Sequence, residues 1–215
     1  MAQQPTTPTN RGRGPALPVQ TARLTLRGYT ATDVDQSLAY YSRPDVVAYV
    51  PWEPWTRAEA EKRVAARIDR TGLQGPGSAL SLAVDCGDRL IGDVVLWPAD
   101  ETMSRGEMGW AFNPEAGGRG YATEAVAALM RIAFDTYGMH RVFAHVDPRN
   151  EPSLRLCERV GMRREGLLRR NTQVKGAWVD SVVFGALSSE WPHPPSRLTE
   201  HRPRETRPPR RRSSR

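Results

Sequence analysis

The sequence predicts an α/β protein of the α+β type: one domain with a mixed central sheet of about seven strands and helices on both faces of the sheet. Two observations carry this prediction. Short apolar or alternating segments typical of strands are interleaved with segments whose apolar residues recur at helical spacing. With 215 residues, 39% of them hydrophobic, the chain also has room for one full core.

The N-terminal half is predicted to contain one strand, two helices and two further strands. In order, these are strand 22–27, helix 32–42, a helix from about 56 to 69, and strands 80–84 and 90–97. Thr56 and Glu59 form the capping-box pattern that begins the second helix. The Cys-Gly-Asp segment between the last two strands is typical of a hairpin turn.

The C-terminal half is predicted to alternate strands and helices and to end in a hairpin. In order, these are strand 107–113, helix 122–134, strand 141–146, helix 151–160, and strands 163–170 and 179–187. Gly161 ends the second of these helices, and Lys175-Gly176 forms the turn of the closing hairpin.

The net charge of +7 comes from the ends of the chain. Residues 1–20 carry +2, residues 193–215 carry +6, and residues 21–192 carry −1. Both ends are rich in Pro, Thr, Ser and Arg, so we expect two disordered tails flanking one domain at 21–192. The C-terminal tail either contacts RNA or an acidic surface or is simply solvated. The nearly neutral domain argues against a nucleic-acid-binding core.

Composition also limits the class of protein. No apolar run approaches 18 residues, so no membrane span is expected. Cys86 and Cys157 are too few and too far apart for a disulfide framework or a structural zinc site. The chain does not open with a charged and then apolar leader. We expect a cytoplasmic protein without a metal; the sequence does not indicate its oligomeric state.

The most informative segment is N-P-E-A-G-G-R-G-Y-A-T-E-A, residues 113–125, which runs into an apolar helix. Its three glycines allow tight turns and close approach of a ligand. The helix N-terminus that follows offers unpaired N–H groups to an anion. The pattern matches neither the Walker loop nor the dinucleotide fingerprint. It predicts a phosphate-bearing cofactor, although a glycine cluster alone also fits an ordinary loop.

Several linked segments support the cofactor interpretation. They are T-A-R-L-T-L-R, G-E-M-G-W-A-F-N-P, G-G-R-G-Y-A-T-E-A, N-E-P-S-L-R-L-C-E-R-V-G-M and V-K-G-A-W-V-D-S-V-V-F. In order and spacing they resemble the GNAT superfamily of acyl-coenzyme-A-dependent N-acyltransferases, and most of all its ribosomal-protein-alanine N-acetyltransferase branch. The resemblance covers about residues 20–190. It implies that acetyl-CoA lies where the sheet is splayed between its fourth and fifth predicted strands.

The resemblance also implies which residues hold this co-substrate. The pyrophosphate would accept N–H bonds from Gly118, Arg119, Gly120, Tyr121 and Ala122. Pantetheine would follow the backbone of Trp110, Ala111 and Phe112, near Asn150 and Ser153. Gly117 stands where the family often has Gln, Arg or an aromatic residue, so we expect a more mobile loop. The Arg119 side chain either pairs with a phosphate or is an ordinary exposed arginine.

The chemistry implied is direct attack of an amine on a thioester, without a covalent enzyme intermediate. Two residues are candidates for the base, His145 and Glu107, and each also fits a structural role. A backbone N–H near Ala111 or Phe112 would stabilise the oxyanion. Many members of the family have a Tyr that acts as the general acid, and Cys157 takes its position here. Ser153 is therefore the better candidate for the proton donor, although its position is also typical of a helix cap.

The predicted function is N-acetyl transfer from acetyl-CoA to a primary amine, either a protein N-terminus or a small molecule. Trp52, Glu53 and Trp55 are candidates for the acceptor pocket, because two aromatics around a carboxylate suit a cationic amine. The same aromatics also fit a role in closing the core. A longer acyl donor stays open. The alternative function is a non-catalytic acyl-CoA-binding or RNA-associated module acting through the basic tail.

Overall fold

The structure is a computed structural model that describes residues 14–191. The predicted C-terminal tail and residues 1–13 lie outside the described residues. Ordered structure begins earlier than the predicted domain boundary at residue 21, because Val19–Gln20 form a short strand at one end of the sheet.

The domain contains four α-helices and nine strands within the described range. The strands are β1 (Val19–Gln20), β2 (Thr25–Arg27), β3 (Thr71–Gly72), β4 (Ala79–Cys86), β5 (Arg89–Pro98), β6 (Arg105–Phe112), β7 (Arg141–Val146), β8 (Arg163–Val174) and β9 (Ala177–Leu187). The helices are α1 (Val34–Tyr41), α2 (Arg57–Ile68), α3 (Tyr121–Arg131) and α4 (Glu151–Arg159). All seven predicted strands are present. The two additional strands, β1 and β3, are two residues long, too short to show an alternating pattern.

The strands form one mixed sheet in the order β1-β2-β4-β5-β6-β7-β9-β8, with β3 beside β4. Every neighbouring pair is antiparallel except β6 and β7. These two parallel strands pair only over residues 105–107 and 141–143 and then separate. The predicted opening between these strands is therefore confirmed.

Two apolar cores hold the helices against opposite faces of the sheet. One joins α3 and α4 to the sheet through residues such as Leu129, Met130 and Phe184. The other lies under α1 and α2 and includes Tyr40 and Val64. Burying a side chain of this size contributes about 2 kcal/mol, so both faces are firmly covered where helices lie.

The helix starts differ in a way that positions the site. Thr56 caps α2 as predicted, since its Oγ1 accepts a hydrogen bond from the N–H of Glu59 at 3.3 Å. Asn150 caps α4 in the same way, accepting from the N–H of Ser153 at 3.2 Å. No side chain caps α3, which begins after Gly120. None of the helices among residues 14–191 is long and apolar enough to cross a membrane.

Candidate active site

An open groove of about 890 Å³ lies where α3 and α4 begin, beside the end of β6. Six of the predicted cofactor residues line it: Phe112, Gly117, Gly118, Gly120, Tyr121 and Ala122. Residues 113–120, which we call the glycine loop, connect β6 to α3. The groove and the uncapped helix start therefore coincide, which is the arrangement expected of an anion site.

The glycines of this loop are required by its shape. Gly118 and Gly120 have φ values of 74° and 77°, in the left-handed region that L side chains rarely adopt. A Cβ at Gly117 would lie 2.9 Å from the carbonyl oxygen of Pro114. That crowding gives a physical reason for glycine at position 117, where the family often carries a larger residue. The Pro114 oxygen is held close to residue 117 by the 3-10 turn Pro114–Ala116, where it accepts a hydrogen bond from the Gly117 N–H at 2.9 Å.

Arg23 braces the glycine loop, and the sequence analysis missed it. Its guanidinium donates hydrogen bonds to the carboxylate of Glu124 at 2.7 Å and to the carbonyl oxygen of Arg119 at 2.8 Å. It also lies 4.7 Å from the ring centroid of Tyr121. The motifs containing Arg23 and Glu124 were both visible in the sequence, but nothing local shows that residues 101 positions apart are paired.

Glu124 anchors this brace from the first turn of α3. It accepts hydrogen bonds from the Thr21 hydroxyl at 2.6 Å and the backbone N–H of Arg23 at 2.8 Å. Burial acts to raise the pKa of Glu124, but the bonds from Thr21 and Arg23 outweigh it and hold this pKa below its usual value. The carboxylate is therefore charged at neutral pH and keeps Arg23 against the loop.

Three guanidinium groups border the groove: those of Arg23, Arg155 and Arg159. Arg159 donates from Nε to the Thr123 hydroxyl at 3.3 Å, which joins α4 to the start of α3. The lining does not include Arg119, the cation selected from the sequence; only its carbonyl oxygen takes part, as an acceptor for Arg23. Arg155 and Arg159 could have been found by placing their helix beside the loop.

The two candidate bases, which the sequence treated as rivals, form a pair. Nδ1 of His145 on β7 lies 3.0 Å from Oε1 of Glu107 on β6. Both side chains leave the sheet just where β6 and β7 separate, on the face that carries α1 and α2. Both remain partly exposed, at 30% for His145 and 41% for Glu107. When Nδ1 carries the proton, Nε2 is the free acceptor.

Ser153 lies on the other side of the opening, at the start of α4. Its Oγ accepts a hydrogen bond from the indole N–H of Trp110 at 3.2 Å, while its own hydroxyl proton stays available. Asn150, expected near pantetheine, caps α4 with its side-chain oxygen. Cys157 is fully buried in the core, and burial raises the pKa of its thiol to about 12, so it is a packing residue.

The aromatic pair predicted to bind the acceptor is used internally. Trp55 is 3% exposed and stacks on Tyr41 with the ring centroids 3.8 Å apart. The guanidinium of Arg63 lies 5.1 Å from the ring centroid of Trp52 and 5.5 Å from that of Trp55. A cation of the protein thus occupies the position that the sequence analysis assigned to the acceptor amine. These contacts favour the other role that the sequence left open for the two aromatics, closing the core, because Arg63 of the predicted helix 56–69 lies against both rings.

Glu53 is exposed, and its carboxylate lies 3.6 Å from Nζ of Lys175 at the tip of the β8–β9 hairpin. The same loop approaches the end of β7, where Arg149 lies 5.8 Å from the ring centroid of Tyr49. The α1–α2 loop therefore reaches both the hairpin and the turn after β7. It borders the face that carries His145.

A buried polar cluster supports β6 from this side. Asp93 on β5 stands opposite Ala111 and accepts hydrogen bonds from the hydroxyls of Tyr40 at 2.7 Å and Tyr41 at 2.9 Å. Arg67 pairs with Asp93 at 3.4 Å and donates to the Tyr41 hydroxyl at 3.1 Å. Burial raises the pKa of both tyrosines, so each remains a donor. The cluster fixes the strand behind the predicted thioester position.

Residues 14–191 contain no group of three or more His, Cys, Asp or Glu side chains arranged to hold a metal ion. The chemistry available from the described side chains is proton transfer at His145 and hydrogen bonding at Ser153. Together with backbone N–H groups along the groove, these residues can orient and polarise a phosphate-bearing acyl donor.

Comparison with known proteins gives consistent matches. Residues 23–163 match the family described as Acetyltransferase (GNAT) domain. The chain is 32% identical over 171 residues to the uncharacterized N-acetyltransferase p20 of Bacillus licheniformis, covering 80% of this chain and 96% of that protein. It is 29% identical over 84 residues to the ribosomal protein uS5-alanine N-acetyltransferase of Escherichia coli, covering 39% and 43%. A solved GNAT-family acetyltransferase from Bacillus anthracis superimposes with a TM-score of 0.73 and 28% identity, over 81% of this chain and all of the other.

Proposed function

The chain belongs to the GNAT acetyltransferase family and is an N-acetyltransferase, and we propose that it moves the acetyl group of acetyl-CoA to a primary amine with His145 as the general base. One observation carries this proposal. The His145–Glu107 pair, with an Nδ1–Oε1 distance of 3.0 Å, lies where β6 and β7 separate, and β6 runs from there to the groove at the uncapped start of α3.

The groove suits the phosphates of acetyl-CoA. Backbone N–H groups of residues 118–122 would bind the pyrophosphate at the start of α3, where the helix dipole favours an anion. The guanidinium groups of Arg23, Arg155 and Arg159 add positive charge around the same groove. Trp110, Ala111 and Phe112 lie in the part of β6 that has no partner on the β7 side, so the backbone groups of this segment that point away from β5 are free to pair with pantetheine.

The reaction needs one general base, and it exchanges a C–S bond for a C–N bond. The amine nitrogen attacks the thioester carbonyl carbon, the C–N bond forms, and the C–S bond breaks to release the CoA thiolate. The proton lost by the amine goes to Nε2 of His145, while Glu107 accepts a hydrogen bond from Nδ1 and orients the ring. Glu107 is thus a positioning residue. The two residues that the sequence offered as alternative bases act together, with His145 as the base.

Two further groups assist this step. A backbone N–H of β6 near Ala111 or Phe112 stabilises the oxyanion, and the buried Asp93 cluster holds that strand in place. The Ser153 hydroxyl, held by Trp110, donates a proton to the leaving thiolate. A thiolate also leaves without protonation, so the contribution of Ser153 is smaller than that of His145.

The acceptor is a primary amine of a protein N-terminus or a small molecule. The similarity to an enzyme named for a ribosomal-protein alanine supports the first class. The second stays open at this stage, because both classes present the same neutral nitrogen to His145.

The test is CoA release from acetyl-CoA with a panel of amine acceptors, using wild type, His145→Gln, Glu107→Gln and the control His140→Gln. His140 is exposed and outside the pair. We expect His145→Gln to lower kcat about 100-fold to 1,000-fold with unchanged acetyl-CoA affinity. Glu107→Gln should lower kcat about tenfold, because the neutral amide accepts more weakly from Nδ1 and can donate to it instead, which leaves the proton on Nε2.

Two results would contradict the proposal. One is the absence of CoA release with every acceptor in the panel. The other is a kcat for His145→Gln equal to that of His140→Gln, which would remove His145 from the reaction. Calorimetric titration with acetyl-CoA accompanies each variant, so that a lost cofactor site is distinguished from a lost base.

A further inference from the structure

The sheet face that carries His145 is not covered by a helix around the catalytic pair. Strand pairing places Trp97 of β5 opposite Glu107, and Glu107 opposite Phe143 of β7. Side chains at paired positions share a face, so Trp97, Glu107, Phe143 and His145 form one surface, which we call the open sheet face. Trp97 is 37% exposed there, and the imidazole of His145 is 30% exposed.

Trp97 lies against the strand that would hold the thioester. A Cβ at Gly109 would be 2.9 Å from Cζ3 and 3.0 Å from Cη2 of the Trp97 ring. The indole therefore rests on Gly109 of β6, at the position next along this face from Glu107. The exposed Trp97 ring therefore lies beside the proposed base. Packing in the two apolar cores does not explain why this ring is exposed.

The apolar surface continues across the sheet. His145 pairs with Val183, and Leu168 pairs with Ser181 two residues along β9, so Leu168 shares the His145 face. Leu168 is 43% exposed. From β5 to β8 there are four strand spacings, which amount to about 19 Å at the level of Glu107 and Phe143, where β6 and β7 are still paired. That width matches five or six residues of extended polypeptide and exceeds the length of a small amine.

The charges beside this face are already paired. Glu107 pairs with His145, Glu165 with Arg141, and Glu53 with Lys175. A polyamine carries two or more ammonium groups and needs unpaired carboxylates to replace their water. Of these three carboxylates, only Glu107 lies beside the proposed base, so the face has a position for one amine, next to His145. The surface on either side of that position is apolar.

We propose that the acceptor is a polypeptide N-terminus with an apolar first residue, whose side chain lies on Trp97. The α-amine faces His145, and the following residues lie over Phe143 and Leu168. This inference rests on the proposed acetyl transfer and specifies its acceptor. It makes Trp97 a specificity-determining residue and moves acceptor recognition away from Trp52 and Trp55.

The test uses conjugates in which a –CH₂–CO– bridge joins the CoA sulfur to an acceptor amine, so that binding is measured without turnover. The acceptors are the peptides Phe-Gly-Ser-Gly and Asp-Gly-Ser-Gly, phenethylamine, and spermidine. Titration calorimetry gives each Kd relative to CoA. We expect the Phe peptide conjugate to bind at least tenfold tighter than CoA, phenethylamine to gain less, and the Asp peptide and spermidine to gain under threefold.

Variants of Trp97 then test whether this residue causes the gain in affinity. Trp97→Ala should weaken the Phe peptide conjugate about tenfold and leave CoA binding unchanged, while Trp97→Phe should keep most of the gain. The matched control is Trp178→Ala, since Trp178 is 61% exposed near the hairpin tip and is outside the open sheet face. Circular dichroism checks that each variant is folded.

Each possible result supports or overturns a stated part of the inference. A spermidine conjugate that binds as tightly as the Phe peptide would overturn the inference, as would a Trp97→Ala variant that keeps the gain. A phenethylamine conjugate equal to the peptide would overturn the polypeptide assignment. If CoA binds but no conjugate gains, this inference fails alone. If CoA does not bind, the proposed function fails first.

Discussion

The two surfaces to which we assign acetyl-CoA and the acceptor are built from different chemical groups. The groove at α3 centres on the glycines and the uncapped helix start of one continuous segment, residues 116–124, with the side chains of Arg23, Arg155 and Arg159 around it. The open sheet face is made of side chains from three strands, with Trp97, Glu107 and His145 brought together only by strand pairing. A backbone site depends on local conformation, so it tolerates little change in shape. A side-chain site can change its partner through single substitutions.

The largest expected effect comes from breaking the backbone site. Gly120→Trp places a large side chain in the groove at a φ of 77°, so we expect acetyl-CoA affinity to fall more than 100-fold. Titration calorimetry measures this directly. The control is Gly176→Trp, at a φ of 82° in the β8–β9 turn with open space around it, which should bind acetyl-CoA as wild type does. Equal loss in both variants would mean that backbone strain, not the groove, explains the result.

The next effect tests what supports the acceptor side. Arg67→Met leaves Asp93 buried without its cationic partner, so the free energy of unfolding should fall by about 3–5 kcal/mol. Urea denaturation measures it. Arg63→Met is the matched control on the same helix; its pair with Glu59 is about one third exposed, and we expect a loss below about 1 kcal/mol. Similar losses would show that the Asp93 cluster is not the main support.

The smallest effect concerns the brace behind the glycine loop. The pKa of Glu124 is lower in the folded protein than its usual value of 4.5, so its contribution is fully present above that pH and is lost as the pH falls through the lowered pKa. Glu124→Gln should therefore cost about 1 kcal/mol of unfolding free energy at pH 7 and less below pH 4, allowing for the exposure of Arg23. Urea denaturation at both pH values measures this.

Glu115→Gln provides the comparison for that prediction. Glu115 lies in the glycine loop, and its ion pair with Arg89 is largely exposed. We therefore expect no measurable change in the free energy of unfolding. A cost for Glu124→Gln that is independent of pH would contradict the assigned role of its charge.

Local features of the sequence predicted the fold and the glycine loop before α3 well. Strand alternation, the Thr56 cap and the glycine loop depend on neighbouring residues, and all are present in the structure. The Arg23–Glu124 brace, the His145–Glu107 bond and the Trp97–Gly109 contact could not be predicted, because each depends on the register between distant segments. Of the two roles that the sequence left open for Trp52 and Trp55, the contacts with Arg63 favour closing the core, and these contacts also depend on tertiary packing.

The bonds of Arg23 have a consequence for the order of folding. They connect the glycine loop to a segment 96 and 101 positions earlier in the chain. Contacts between such distant positions close large loops and form late in a folding reaction. The glycine loop therefore reaches its final shape only after the first strand has docked. Capture of acetyl-CoA during refolding should accordingly lag behind the recovery of helical circular dichroism and report completion of the whole domain.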